Sequence, residues 1–286
     1  MQSRLFILAR GLGEIVNESK SLVIIYNFDK LHIINMSSAS TSSSQTAGLK
    51  LLTVERALDE TGLLREGFSL EDAAALSKCA RWTTTYPLQR VKKRRRVEAI
   101  CPMMAPALAA RGVSFTLAPM DERETPLERL DDLLRQAARL FETRMVCDDP
   151  RLRCLVVVVP GVRGGRLLEA TTPDREIKNE LLGRGILVGE FFPSCPFATT
   201  FNPRLFALRS PAPMYVLRSF MESDWRFICQ IPAWQRTYRA RFGEPPAKLR
   251  HLGGPIWRLK QKIGWRVDAV RQRLFPRSPE PIEPDP

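Results

Sequence analysis

The residues best able to do chemistry lie in Gly185–Arg218, GILVGEFFPSCPFATTFNPRLFALRSPAPMYVLR. Two apolar runs that read as buried strands bracket a proline-marked loop. Across it are Glu190, Cys195, Asn202, Arg204, Arg209 and Ser210. Loops held by rigid strands are where binding groups sit. A guanidinium meets a carboxylate or phosphate through two parallel hydrogen bonds, so Arg209 and Arg218 read as anchors for an anionic ligand. Glu190 ends an otherwise apolar strand and must find a cation or water. It reads either as the structural partner of Arg209 or Arg218, or as a group that orients the ligand or acts as a base. Asn202 and Ser210 supply hydrogen bonds. The segment as a whole reads as an anionic small-molecule pocket over 190–218.

Other chemistry is sparse. Cys101-Pro102 and Cys195-Pro196 are Cys-Pro dipeptides whose thiolates could be nucleophiles or haem axial ligands; buried structural cysteine is the alternative. The six cysteines are scattered with no C-x-x-C pair, and the only histidines are His32 and His251. That pattern argues against a disulfide framework and predicts no metal site. Gly161-Val162-Arg163-Gly164-Gly165 fits neither nucleotide-binding glycine pattern and reads as a turn after a strand.

The elements that must position these groups follow from periodicity. Thr53–Glu60 reads as a short helix stopping near Gly62. Ser69-Leu70-Glu71-Asp72 opens a second helix with a capping box, running to Trp82. Met103–Arg111 reads as a helix closed by Gly112 in the left-handed region. Thr125-Pro126 opens a helix striped by Leu130, Leu133, Leu134, Ala137, Leu140 and Phe141. Thr172-Pro173 opens another, through Ile177, Leu181 and Leu182. Strands read at Val113–Leu117, Cys154–Val159, Ile186–Phe191 and Met214–Leu217, and Glu222–Phe242 reads as helix divided at Pro232. Strands alternating with helices predict an α/β fold, with α+β as the alternative: one domain with a central sheet flanked by helices. The last two strands lack a helix between them, so the sheet is expected to be mixed.

The chain has 286 residues, 44% of them hydrophobic, and a net charge of +13. That excess favours anionic partners. Two basic segments stand out. Val91–Val97 (VKKRRRV) reads as a solvated loop or helix face, or as a phosphate contact through 92–96. Residues 256–274 repeat Ile256, Leu259, Ile263, Val267, Val270 and Leu274 among six cations, an amphipathic helix. It would dock on its own domain, on a partner's groove or on an anionic membrane surface. No apolar run is long enough for a transmembrane segment, and neither a secretion signal nor a disulfide pattern is read, so a cytoplasmic location is expected.

Residues 1–35 differ from the rest in composition. They read either as upstream sequence ahead of a true start at Met36, or as a genuine extension with a hairpin at Leu22–Phe28 and Leu31–Ile34. Met36–Gly48 is small, polar and low in complexity, and reads as disordered. The expected organisation is an extension over 1–48, an α/β domain over 49–245, and a basic helix with a proline-rich acidic tip over 246–286.

Ile100-Cys101-Pro102-Met103-Met104-Ala105-Pro106-Ala107-Leu108 with Gly112-Val113-Ser114-Phe115, the 185–218 core, and Asp224–Gly243 together resemble an uncharacterised bacterial family found near natural-product biosynthesis genes. The resemblance spans 99–243 and implies an accessory or tailoring protein of secondary metabolism, with no activity to carry over. The Cys-Pro opening is also similar to a family that includes suspected haem-dependent N-oxygenases, which implies haem as a cofactor to test. The chain departs from the nearer pattern at Phe192 and Phe201, where that pattern has histidine; if those histidines are catalytic, this chain is altered or inactive. Two readings stay open: an accessory or tailoring protein with an anionic pocket, and a non-enzymatic module binding nucleic acid, anionic membrane or a partner through its basic segments.

Overall fold

The computed structural model describes residues 49–92, 97–120, 125–199, 205–250 and 252 in full, and Lys93, Arg96 and three N-terminal strands by backbone alone. Those strands, β1 (Gly13–Asn17), β2 (Leu22–Asn27) and β3 (Lys30–Asn35), form an antiparallel meander in which Leu22 faces Asn35 and Asn27 faces Lys30. The hairpin of the alternative reading is thus present in the backbone, as the β2–β3 pair. This unit ends at Gly48, and residues from Leu49 onward form a second compact unit. Asn202, Arg204, Phe201, Met36–Gly48 and the 256–274 segment lie outside the described residues.

The second unit is α/β. Its sheet contains β4 (Leu52–Thr53), β7 (Val113–Leu117), β8 (Cys154–Val158), β10 (Met214–Ser219) and β9 (Ile186–Phe191), in that spatial order. Strands β7 and β8 are parallel, while β10 runs antiparallel to both β8 and β9. The sheet is therefore mixed, as the missing helix between the last two strands implies. The remaining strands, β5 (Arg90–Lys93) and β6 (Arg96–Ala99), form a separate two-stranded ribbon.

Helices cover both faces. Helices α1 (Val54–Leu58), α2 (Glu60–Arg65), α3 (Leu70–Thr85) and α4 (Met104–Ala109) enclose one core with Phe115, Val156, Val158 and Met214. Helices α5 (Leu127–Thr143), α6 (Gly164–Ala170) and α7 (Glu176–Gly183) enclose the other with Leu155, Val157, Tyr215 and Leu217. Consecutive strand residues thus feed opposite cores, as the pleat requires. The α5 stripe buries Leu130, Leu133, Leu134 and Phe141, each contributing about 1.5–3 kcal/mol of hydrophobic stabilisation. A third cluster joins Leu182 and Leu187 to α8 (Trp225–Ile228) and α9 (Pro232–Phe242).

Local chemistry explains where the sequence reading shifts. The Ser69 hydroxyl accepts from the Asp72 amide at 3.1 Å, as the capping pattern predicts. The first helix does not stop at Gly62. It breaks at Asp59, whose carboxylate accepts from the Gly62 amide at 2.9 Å and starts α2. Gly112 does not take the left-handed cap; Arg111 does, at φ 53°. Gly112 is required for close approach instead, since a Cβ there would lie 2.5 Å from the Leu152 carbonyl. The turn expected at 161–165 continues into α6. The described residues of the basic run are strand rather than loop or helix face: Lys92 lies opposite Val97 and Lys93 opposite Arg96.

Candidate functional site

Strands β7, β8 and β9 finish at the same end of the sheet, where β10 begins. Ligands of open α/β sheets collect outside such carboxyl ends. The loop joining β9 to β10 folds back over this end. The Phe192 amide donates to the Leu208 carbonyl at 3.2 Å, and the Val159 amide donates to Pro213 at 2.9 Å.

Arg209 lies on this loop, half-buried. Its Nε donates to the Cys195 carbonyl at 3.1 Å, and its guanidinium carbon stands 3.8 Å from the Phe206 ring centroid. Ring and carbonyl fix the plane of the guanidinium. Among the described residues no carboxylate pairs with it, and its two terminal nitrogens have no hydrogen-bond acceptor. Nearby on α3 and the turn after it, Trp82 stacks on Tyr86 with centroids 5.1 Å apart, and Phe191 meets Trp82 edge-on at 5.9 Å. Burial raises the Tyr86 phenol, while the Arg209 charge opposes that rise. The Trp82 indole N–H is buried and lacks an acceptor among the described residues. The Tyr86 end of this aromatic group thus lies within electrostatic reach of Arg209.

Glu190 belongs to the other face. It stands opposite Tyr215 in register, and its Oε1 accepts from Lys178 Nζ at 2.9 Å, both side chains being nearly buried. Lys178 in turn lies 5.1 Å from the Trp234 ring centroid. The partner of Glu190 is thus Lys178 of α7, not an arginine of its own loop. The Tyr215 phenol donates to the Leu167 carbonyl at 3.3 Å, and burial, with Glu190 and Asp131 adding, holds it well above its ordinary range.

Two expected members of the constellation are placed elsewhere or occupied. Arg218 sits at the far end of β10, paired with Leu187 and Cys154 at the amino ends of their strands. Four residue steps along the strand separate it from Met214, roughly 13 Å, and it projects from the face opposite to Glu190. Its two terminal nitrogens donate to the Asp224 carboxylate at 2.8 and 2.7 Å. Burial works against the charged guanidinium, but the Asp224 hydrogen bonds and charge outweigh it and raise the pKa. Asp224 also accepts from the Met221 amide at 2.8 Å, so this pair fastens the turn into α8. Ser210 is buried, and its hydroxyl donates to the Ala212 carbonyl at 2.7 Å, closing the turn before β10.

The two Cys-Pro thiols do not share a site. Cys195 is fully buried, and burial pushes its thiol up. As placed, the Cys195 sulfur lies in a residue with no exposed surface. Cys101 is half-buried near Cys154 and Arg218, whose charge Asp224 already meets. Burial first, then Cys101, raises Cys154 to about 12. No group of three or more metal-ligating side chains occurs among the described residues.

Phe192, where the resembled pattern has histidine, is buried with its ring against Gly164 at the start of α6; a Cβ on Gly164 would lie 2.0 Å from that ring. Position 192 packs inward. Lys178, Tyr86 and Phe206 were not singled out by sequence, and Trp82 was read only as the end of a helix, although Trp82 and Tyr86 carry the one-turn spacing of a stacked pair.

A family model described as Domain of unknown function (DUF6875) matches residues 76–251. The chain belongs to this family. The DUF6875 match takes in all of β5 to β10 and both ends of the sheet, and it stops short of the 256–274 segment. No curated protein and no solved structure matches the chain. No helix among the described residues is long and apolar enough to cross a membrane.

Proposed function

We propose that this chain binds an anionic small molecule at the carboxyl end of its sheet, with Arg209 as the anchor. The supporting observation is the state of that guanidinium: oriented by Phe206 and the Cys195 carbonyl, half-buried, and without a carboxylate among the described residues. An oriented guanidinium loses little freedom on meeting a carboxylate or phosphate. Trp82, Tyr86 and Phe191 provide an apolar wall for the body of the ligand. Glu190 contributes by holding Lys178, and through it the α7 side of the site, rather than by touching the ligand. The accessory or tailoring role in secondary metabolism implied by the family resemblance suits such a binder. Asn202 remains a candidate hydrogen-bonding group on the same loop.

The test is a calorimetric screen of small carboxylates and phosphate esters against the wild-type chain, Arg209→Ala and Arg209→Lys. A ligand should bind the wild type, bind Arg209→Lys more weakly, and lose at least tenfold in affinity with Arg209→Ala. Ligands that bind all three alike would overturn the assignment.

A further inference from the structure

The two faces of β10 are covered unequally. Tyr215 and Leu217 point into the α5–α7 core and are fully buried. On the other face Met214 is fully buried, but Val216 and Arg218 are partly exposed. On the neighbouring strand β8, Val156 and Val158 of that same face are fully buried. Helices α1 to α4 thus seal the sheet over β8 and leave it open over β10. Val216 stands opposite Gly189, and the ring of Phe191 reaches back over that glycine, since a Cβ at 189 would lie 3.2 Å from the Phe191 Cε2. Trp82 meets the Phe191 ring at 5.9 Å and 70°. Gly189, Val216, Phe191 and Trp82 are therefore contiguous, and each is partly exposed. Glycine inside a strand marks a bulge, a bend or a close approach. The β9–β10 register runs unbroken through Gly189, and its φ is not positive. Close approach is what remains: the glycine lets an aromatic ring lie low on the sheet beside the opening.

Resting on Arg209 as the anion anchor, we infer that the ligand is a planar aromatic acid, its ring seated beside Val216 in the corner between Phe191 and Trp82 and its carboxylate on Arg209. Aromatic rings pair offset-stacked or edge-to-face. Two rings at 70° let a third stack on one and meet the other edge-on in a single pose. A saturated ring of the same bulk fills the space and makes neither contact. Aromatic faces alone would also attract a cation. The charge decides between them: Tyr86, stacked on Trp82 at 5.1 Å, feels the positive charge of Arg209, which favours an anion and repels a cation.

The experiment is calorimetric titration of the full chain with 2-naphthoate, its saturated counterpart decahydro-2-naphthoate, and the uncharged 2-naphthamide. On the wild-type chain 2-naphthoate should bind about tenfold more tightly than the saturated acid, the scale of two aromatic contacts, and more tightly than the amide. Phe191→Leu, which keeps the apolar bulk and removes one ring, should erase most of that preference. Val216→Phe, which fills the opening from a partly exposed position, should weaken both bulky acids; circular dichroism checks that both variants fold. A saturated acid that binds as tightly as 2-naphthoate, with both still weakened by Arg209→Ala, would overturn the inference and leave the anchor standing. So would failure of 2-naphthoate to bind where other small carboxylates bind through Arg209, or 2-naphthoate binding unchanged by both Phe191→Leu and Val216→Phe. Acid and amide binding alike, or acid binding indifferent to Arg209→Ala, would overturn the anchor itself and the inference with it.

Discussion

Arg209 and Arg218 stand at opposite ends of one sheet, and both reside beside apolar strands. At the amino end, Asp224 meets Arg218 with both oxygens and also caps a backbone amide, so the charge is consumed in fastening α8 to β10. At the carboxyl end, Arg209 is held by a ring and a carbonyl, which orient it and leave its charge unanswered by any described carboxylate. A half-buried cation with a dedicated, buried acid is architecture. A half-buried cation oriented without one is poised for something brought from outside.

Mutations can break that contrast. Arg218→Ala strands a buried Asp224 and should cost roughly 3 kcal/mol in urea unfolding, while Arg218→Met with Asp224→Leu should recover much of the loss. Next in size is Gly164→Ala, which drives a methyl into the Phe192 ring and should cost about 1–3 kcal/mol; Phe192→Leu in the same chain should return part of it. Arg209→Ala should cost only about 1 kcal/mol, the scale of one cation–π contact and one hydrogen bond. Equal losses for Arg209→Ala and Arg218→Ala would erase the distinction between the two ends. The smallest effect is pH-dependent. Hydrogen bonds from Arg184 hold Glu142 below its usual range, with burial opposing. Its contribution is full above the ordinary carboxylate pKa and is lost as pH falls through the depressed folded value. Glu142→Gln should therefore cost under about 1 kcal/mol at neutral pH and nothing in strong acid, since the pair is partly exposed.

Much of the fold is legible in the residues. The run Cys154–Val158 can only be a doubly buried strand, the Leu130–Phe141 stripe can only be a helix facing a core, and the absence of a helix between β9 and β10 makes the sheet mixed. The site is less legible, because it depends on register. Glu190 and Arg218 both look available in the sequence, and only the pairing of Glu190 with Tyr215 reveals that they leave opposite faces. The acid that claims Arg218 lies in a turn with no periodicity to announce it, and Lys178 reaches Glu190 from another helix. The Trp82–Tyr86 stack was hidden for a different reason. The β-branched Thr83-Thr84-Thr85 run lowers helix propensity, yet α3 continues through it because its inner face is packed. The ribbon was obscured by its own charge, which overrides the alternation that normally marks a strand.

The strand order also sets a timetable. β10 is the last strand of the central sheet to leave the ribosome, yet it lies between β8 and β9. Until Ser219 emerges, β8 and β9 each display an unpaired edge, the kind of surface on which nascent chains aggregate. The parallel pair β7–β8 can form early, but the sheet closes only when this late strand slides into the middle. Synthesis that pauses before Met214 would leave a half-built molecule dependent on chaperones, and a polypeptide ending there should not accumulate as a folded species.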